Sequence, residues 1–131
     1  MNEQTGQAPA DMEVLAQRFF DALQAADVGT VQSLYSEGAT LWTCITQRDV
    51  KAREVATYLP YLAKKMPDRR YEDRRVTQFK GGFMQRHRLC GTRRDGARVA
   101  AQCCVMVFVE NGKIYRVEEY LDSRQFDAVM G

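Results

Sequence analysis

The chain has 131 residues, of which 45% are hydrophobic and 27% charged, and its formal net charge is +2. These values suit one globular domain, and the charge is too small to indicate nucleic acid or an anionic membrane as a partner. No apolar run reaches the ~20 residues of a membrane span, and the polar start "MNEQTGQAPA" lacks a signal-peptide pattern. We expect residues 1–10 to be a disordered tail and residues 11–131 to form a single domain.

The cysteines do not have the spacing of metal ligands, and neither does the single histidine, His87. The adjacent Cys103 and Cys104 should point to opposite faces of a strand, so we expect no disulfide between them. Reduced cysteines that serve as small buried hydrophobes are the simplest interpretation of all four: Cys44, Cys90, Cys103 and Cys104. We therefore expect a cytoplasmic protein with no metal and no cofactor.

Helical patterns dominate the first half of the chain. Asp11 can cap a helix that reads "DMEVLAQRFFDALQAAD", and Asp27 opens a second short helix that Gly38 can end. The β-branched and aromatic stretch "ATLWTCIT" then predicts a strand. A further helix over "DVKAREVATYLPYLAKKM" should be kinked or divided at Pro60 and end at Pro67.

Extended runs dominate the second half. Three turn signals, "KGG", "RDG" and "ENG", separate four such runs. Strands joined this tightly are antiparallel neighbours, so residues 71–122 should form a four-stranded meander, followed by a short terminal helix or tail. Helices first and a meander afterwards predict an α+β fold in which the helices cover one face of the sheet.

The stretch "RVAAQCCVMVFV" is apolar on both faces of its predicted strand. Val105 and Val107 alternate with Cys104, Met106 and Phe108, as in a strand that is covered on both sides. Because the helices can cover only one face, we expect a second copy of the chain to bury the other face in a symmetric homodimer. The alternative is that the terminal segment folds over that face.

The order of helix, helix, strand, kinked helix and long meander resembles the nuclear transport factor 2-like superfamily. The stretches "FFDALQAADVGTVQSLYSEGATLW", "GGFMQRHRLCGTRRDG" and "NGKIYRVEEYLD" are most similar to its SnoaL-like and ketosteroid-isomerase-like branches. The resemblance implies an α+β cone, in which helices cover the concave face of a curved antiparallel sheet and enclose a deep, apolar pocket. It does not imply one activity, because the superfamily includes isomerases, cyclases, epoxide hydrolases and non-catalytic binding proteins.

His87 is the first candidate for chemistry. In "FMQRHRL" it shares a strand face with Gln85, among apolar neighbours. A histidine in this setting can be an acid or base whose pKa lies near neutrality, or a core histidine satisfied by one hydrogen bond. The resemblance implies that the Gln85–His87 pair lines the pocket.

The last predicted strand contains three carboxylates. Strand alternation puts Glu118, Tyr120 and Asp122 on one face and Glu119 on the other, unless a bulge shifts the phase. Glu119 is then expected to pair with an arginine of the neighbouring strand on the outer face. The resemblance implies that Asp122 faces the pocket, with Glu118 and Tyr120 on the same wall. The alternative for Asp122 is an N-cap of the terminal helix.

Four aromatic side chains are further candidates for the pocket wall, although such residues more often belong simply to the core: Phe19, Tyr35, Trp42 and Tyr58. The resemblance then suggests a cofactor-free isomerase or cyclase acting on a hydrophobic cyclic ketone. Asp122 would remove a proton next to the carbonyl, and His87 would polarise or reprotonate the substrate. The alternatives are a non-catalytic ligand-binding or interaction protein on the same fold, and an epoxide hydrolase-like enzyme that uses Asp122 with Arg86 or Arg88.

Overall fold

The computed structural model describes residues 9–131. The predicted tail, residues 1–10, lies outside this range except for its last two residues, which already belong to the first helix. The described elements, in chain order, are α1 (Pro9–Gln24), α2 (Val28–Leu34), β1 (Tyr35–Thr43), β2 (Asp49–Lys51), α3 (Ala52–Ala56), α4 (Leu59–Lys65), β3 (Arg70–Phe79), β4 (Gly82–Thr92), β5 (Arg98–Glu110), β6 (Lys113–Leu121) and α5 (Ser123–Met130).

The strands form one six-stranded sheet in the order β2-β1-β6-β5-β4-β3. The predicted antiparallel meander is confirmed for β3 to β6. β1 joins β6 in parallel, and the short β2 pairs with β1. The tight connection between β5 and β6 has positive φ at both Asn111 and Gly112, as a type I′ hairpin turn requires. The α+β fold predicted from the sequence is therefore confirmed.

Several boundaries differ from the sequence prediction; for example, Asp49–Lys51 form β2 and not the start of the third helix. α2 ends at Leu34 and not at Gly38, because Tyr35 is already buried and paired with Ile114 of β6. The long third helix is divided into α3 and α4, as Pro60 predicts. Pro60 lies in the first turn of α4, where its missing N–H has no intrahelical partner to lose.

The helices pack on one face of the sheet, here called the inner face, and form the main core with it. Phe19 and Phe20 of α1 pack among buried inner-face side chains such as Phe83, Val105 and Val107. α5 also lies on this side, because its buried Val129 packs in a second cluster with inner-face residues of β5. The alternative in which the terminal segment covers the outer face is therefore wrong.

A β-bulge in β6 sets the faces of the last strand. Phe108 pairs with Arg116 while Val109 pairs with Ile114, which leaves Tyr115 as the extra residue. Ile114 and Val117 are consequently both buried, although a regular strand would point them to opposite faces. Glu119, two residues after Val117, therefore lies on the inner face as well.

Candidate active site

A cavity of about 230 Å³ lies between the helices and the inner face of the sheet. This is far more than the ~10–15 Å³ that a single water requires. Most of its walls are aliphatic and aromatic, and polar side chains reach it at Tyr35, Tyr58, Lys65, Arg69, Tyr71, His87 and Glu119. An apolar cavity with a few convergent polar groups is the usual form of a small-molecule site.

Glu119 is the carboxylate of this cavity. Its backbone is held in the sheet, where its carbonyl accepts a 2.9 Å hydrogen bond from the Cys44 N–H. Its side chain is half-buried and makes no hydrogen bond or ion pair within residues 11–131, so the part of its surface that is not packed faces the cavity. Burial raises the pKa of Glu119, because the ionised carboxylate loses its hydration without gaining a partner.

His87 lies on the same face of the sheet. The register aligns Gln85, Val105 and Glu119 across β4, β5 and β6, and His87 follows Gln85 by two residues along β4. The Gln85 Nε2 and His87 Nδ1 atoms are 3.0 Å apart. Because an amide nitrogen can only donate, Nδ1 accepts this hydrogen bond, and the imidazole proton resides on Nε2.

The surroundings of His87 favour the neutral ring. It is 4% exposed, and its ring lies 5.1 Å from that of Phe20 and 4.8 Å from that of Tyr71. Burial, with a smaller contribution from the positive charge of Arg74, lowers the pKa of His87 to about 4. Of the two alternatives for His87, the structure therefore favours the core histidine satisfied by one hydrogen bond over the acid or base with a pKa near neutrality, and the imidazole is uncharged at pH 7.

Two tyrosines share the cavity with Glu119. Burial raises the pKa of Tyr35, and it raises that of Tyr71 to about 12. The negative charge of Glu119 contributes to both shifts, so both phenols lie within its electrostatic reach. They remain protonated at neutral pH and are available as hydrogen-bond donors beside the carboxylate.

The structure moves Asp122 out of the cavity. Its side chain is exposed and accepts a 2.8 Å hydrogen bond from the Arg124 N–H, which makes it the N-cap of α5. The expectation that Asp122 and His87 share one enclosed volume is therefore wrong. The alternative reading of Asp122, the helix cap, is the one that the geometry supports.

Three more predicted wall residues lie on the outer face. Trp42 and Tyr120 pack with their rings tilted by 54° and the ring centres 5.4 Å apart, and the Tyr120 hydroxyl donates to Glu118 at 3.3 Å. Glu118 is also paired with Arg116 at 2.8 Å. The placement of these side chains on the pocket wall is wrong, and so is the placement of Glu119 on the outer face, because the bulge at Tyr115 reverses the phase of the strand.

The other predicted wall residues are on the cavity side. Phe19, Tyr35 and Tyr58 line the cavity, where Tyr58 is 65% exposed and lies at its mouth. Gln85 is buried and supports His87 from beside the cavity. The epoxide hydrolase arrangement is wrong in its named residues, because Arg86 is exposed, Arg88 pairs with Glu72 at 2.8 Å, and neither lines the cavity.

Sequence reasoning missed Glu119 and Tyr71 as cavity residues. A signal for Glu119 was present, since it was the one acidic member of an otherwise apolar set of alternating residues in "KIYRVEEYL". Ile114 and Val117, three residues apart, also break the period of two that a regular strand would keep. Tyr71 gave no such signal, because it lies among the charged residues of "DRRYEDRR".

The fold and its enclosed site define an α+β cone that holds a small apolar cavity. The family model described as a SnoaL-like domain matches residues 16–117, so the chain belongs to the SnoaL-like family. None of the curated proteins is similar enough in sequence to count as a match.

Solved structures show the same fold. A proposed polyketide cyclase from Xanthomonas campestris pv. campestris superposes with a TM-score of 0.79 and 16% identity, over 93% of this chain and 98% of that one. AclR, a proposed hydroxylase from Streptomyces galilaeus, superposes with a TM-score of 0.78 and 14% identity, over 91% of this chain and 80% of that one. An LEH-like epoxide hydrolase from M. tuberculosis superposes with a TM-score of 0.73 and 18% identity, over 92% of this chain and 90% of that one. At these identities the similarity shows the fold alone.

No helix within residues 9–131 is both long enough and apolar enough to cross a membrane.

Proposed function

We propose that the protein binds a hydrophobic cyclic ketone in this cavity and acts as a cofactor-free isomerase or cyclase, with Glu119 as its proton-transfer group. One observation carries the proposal. Glu119 is a carboxyl group without a partner within residues 11–131, facing an apolar cavity, and burial raises its pKa. A carboxylate whose pKa is raised toward the working pH is a stronger base, and it remains able to return the proton.

The chemistry follows from the groups around Glu119. The ionised carboxylate removes a proton from the carbon next to the carbonyl, and the electron pair of the broken C–H bond moves into an enolate. A Tyr35 or Tyr71 phenol donates a hydrogen bond to the enolate oxygen. Glu119 then returns the proton to another carbon, which completes an isomerisation. In the alternative, the enolate carbon attacks a second carbonyl and closes a ring, and the proton held by Glu119 is transferred to the oxygen of that carbonyl, which becomes a hydroxyl group.

His87 has a supporting role in this proposal. Of the two roles expected for His87, polarising or reprotonating the substrate, a neutral imidazole suits the first, since burial lowers its pKa to about 4. Its Nε2–H is a neutral hydrogen-bond donor at the cavity wall, and Gln85 fixes the orientation of the ring. The proposed cyclase among the structural neighbours is compatible with chemistry of this kind on the same fold.

The test uses β-tetralone, a bicyclic ketone with acidic protons on both carbons next to its carbonyl. When β-tetralone is incubated with the protein in D₂O at pH 8, it should take up deuterium faster than in buffer alone. Mass spectrometry measures this uptake. Glu119→Gln keeps the shape but cannot accept the proton, so we expect the rate to fall by about 100-fold or more. The matched control is Glu118→Gln, because this neighbour lies on the outer face and pairs with Arg116. It should leave the rate within about twofold of the unaltered protein.

The outcomes separate binding from chemistry. Equal uptake in Glu119→Gln and the unaltered protein would remove Glu119 from the reaction. Binding of β-tetralone without uptake in either protein would favour the second candidate function, a non-catalytic ligand-binding protein. The observation behind that second candidate is the position of Asp122, which caps α5 and leaves His87 without the acidic partner expected from the sequence.

We also propose a symmetric homodimer formed through the outer face of the sheet. Cys104, Met106 and Phe108 are half-exposed there, although they lie on a central strand. Met106→Glu should yield a monomer in size-exclusion chromatography with light scattering. Val14→Glu, a similar change at an exposed position on α1, is the control and should leave the dimer intact. A monomer in the unaltered protein at micromolar concentration would contradict this proposal.

A cytoplasmic location is the remaining part of the proposal. Cys44, Cys90, Cys103 and Cys104 are all free thiols in the structure. Free thiols persist most readily in a reducing compartment. Detection of the protein in an oxidising compartment, with these cysteines bridged, would contradict it.

A further inference from the structure

Arg69 is a buried cation at the wall of the cavity. It is 8% exposed, and its Nη2 atom donates to the carbonyl of Leu23 and, at 3.3 Å, to that of Gln24. These carbonyls belong to the last turn of α1, the partially negative end of that helix. No carboxylate among residues 11–131 forms an ion pair with Arg69. A buried charge is normally paired, so this guanidinium retains the capacity to bind an anion from the cavity.

A second cation reaches the same side of the cavity. Lys65 ends α4, lines the cavity, and donates to the carbonyl of Met130 in α5. An ammonium group has three N–H donors, so this one contact leaves others free for a ligand. The chain turns between the two cations, where the Arg69 N–H donates to the Met66 carbonyl at 3.0 Å. Lys65 and Arg69 both line the cavity, and this turn keeps their backbones close together.

Glu119 lies away from these cations. It is on β6, whereas Arg69 directly precedes β3, three strands away in the sheet order, and is anchored to the end of α1. Burial raises the pKa of Glu119. Tyr71, the second residue of β3 and two residues after Arg69 in the chain, also lines the cavity. Burial raises the pKa of its phenol, while the positive charge of Arg69 lowers it and the negative charge of Glu119 raises it further. The cavity therefore has a cationic end at Lys65 and Arg69 and an acidic end at Glu119.

We infer that the ligand is an apolar carboxylic acid whose carboxylate pairs with Arg69, with Lys65 as a second donor. The placement of its ketone at Glu119 rests on the function proposed above, whereas the pairing with Arg69 does not. A carboxylate fits better than a phosphate, since a planar monoanion matches one guanidinium and costs less to transfer into an apolar cavity than a dianion.

The first test compares octanoate with 1-octanol, which have chains of the same length and differ in charge, by isothermal titration calorimetry at pH 7.5. We expect octanoate to bind the unaltered protein about tenfold more tightly or better. Equal or tighter binding of 1-octanol overturns the inference and leaves the proposed function standing. Binding of neither compound also overturns the inference, and the β-tetralone assay then decides the proposed function separately. This comparison needs no variant, so it remains decisive if a change at Arg69 prevents folding.

The second test locates the carboxylate. Arg69→Gln should abolish the preference for octanoate, and Lys65→Gln should reduce it by a few-fold. Arg69→Lys keeps the charge and should restore part of the preference. The matched control is Arg70→Gln, because Arg70 is bonded to Glu72 and does not line the cavity. A preference that survives in folded Arg69→Gln, or that is lost equally in Arg70→Gln, places the anion elsewhere and overturns the inference.

Discussion

Glu118 and Glu119 are neighbours in the chain, yet they occupy opposite electrostatic environments. Glu118 lies on the outer face, where Arg116 pairs with it at 2.8 Å and the Tyr120 hydroxyl donates to it. Glu119 lies on the inner face, where it has no such partner within residues 11–131 and burial raises its pKa. The side of the sheet, and not the residue type, decides which carboxylate is structural and which is available for chemistry.

The same contrast holds for the rest of the sheet. On the inner face, burial keeps His87 and Tyr71 uncharged at neutral pH, since it lowers the pKa of His87 and raises that of Tyr71. The outer face keeps charges and pairs them, as in the contacts of Glu72 with Arg70 and Arg88. A pocket suited to an apolar ligand and a surface suited to water or a partner chain thus occupy the two sides of one sheet.

The largest effect of this contrast on stability should come from His87 at acid pH. Its pKa is 6.5 in the unfolded chain and about 4 in the folded protein. The contribution of His87 to the free energy of unfolding is therefore fully present above pH 6.5 and is lost as the pH falls toward 4. The loss amounts to about 3 kcal/mol. Urea unfolding between pH 7 and 4 measures it. His87→Gln, which cannot titrate, should show a smaller slope over that range.

The carboxylate of Glu72, on the outer face, should affect stability at lower pH than His87 does. Hydrogen bonds from Arg70 and Arg88 lower the pKa of Glu72 from 4.5 to about 2, so its contribution is present above pH 4.5 and is lost below it. A single titration of stability against pH therefore distinguishes the contribution of His87 on the inner face from that of Glu72 on the outer face. Because His87 is the only histidine, NMR of its ring protons gives its pKa directly. A value near 6.5 would contradict the burial argument.

A smaller effect should distinguish the two neighbouring glutamates. The raised pKa of Glu119 means that folding favours its protonated form, so stability falls as the pH rises above the ordinary value of 4.5 and through the folded pKa. Glu119→Gln should therefore raise the melting temperature by a few degrees at pH 8 and have little effect at pH 4. Glu118→Gln removes an ion pair and should lower it slightly at pH 8. A lower melting temperature for Glu119→Gln at pH 8 would contradict an unpaired, buried carboxylate.

Much of the fold could be predicted because its signals are local. The turn sequence at Asn111 and Gly112, the proline at position 60 and the alternation along β5 each specify their own conformation. The start of β1 at Tyr35 could not be predicted in the same way. It depends on parallel pairing with Ile114, far away in sequence, and such pairing leaves no local pattern.

The site was predicted less well for a related reason. The shared face of His87 and Gln85 is predicted correctly because β4 keeps a regular period of two across both residues. Only His87 lines the cavity, so the expectation that Gln85 does so as well is wrong. The faces of the β6 residues are not predicted correctly, because a single extra residue at Tyr115 moves each later side chain to the other face. Asp122 was judged from its position at the end of the strand, yet beyond Leu121 the chain already turns into α5.

The smallest expected effect concerns Asp122 and separates a helix cap from a catalytic base. Asp122→Ala removes the acceptor for the Arg124 N–H and should cost about 1 kcal/mol in urea unfolding. Asp122→Asn should retain nearly all of that stability, because an asparagine side chain caps a helix about as well as aspartate does. A catalytic base would behave differently, since asparagine cannot accept the proton. Deuterium uptake by β-tetralone that survives in Asp122→Asn and is lost in Glu119→Gln would assign the chemistry to the inner face, whereas the opposite result would return it to the end of the strand.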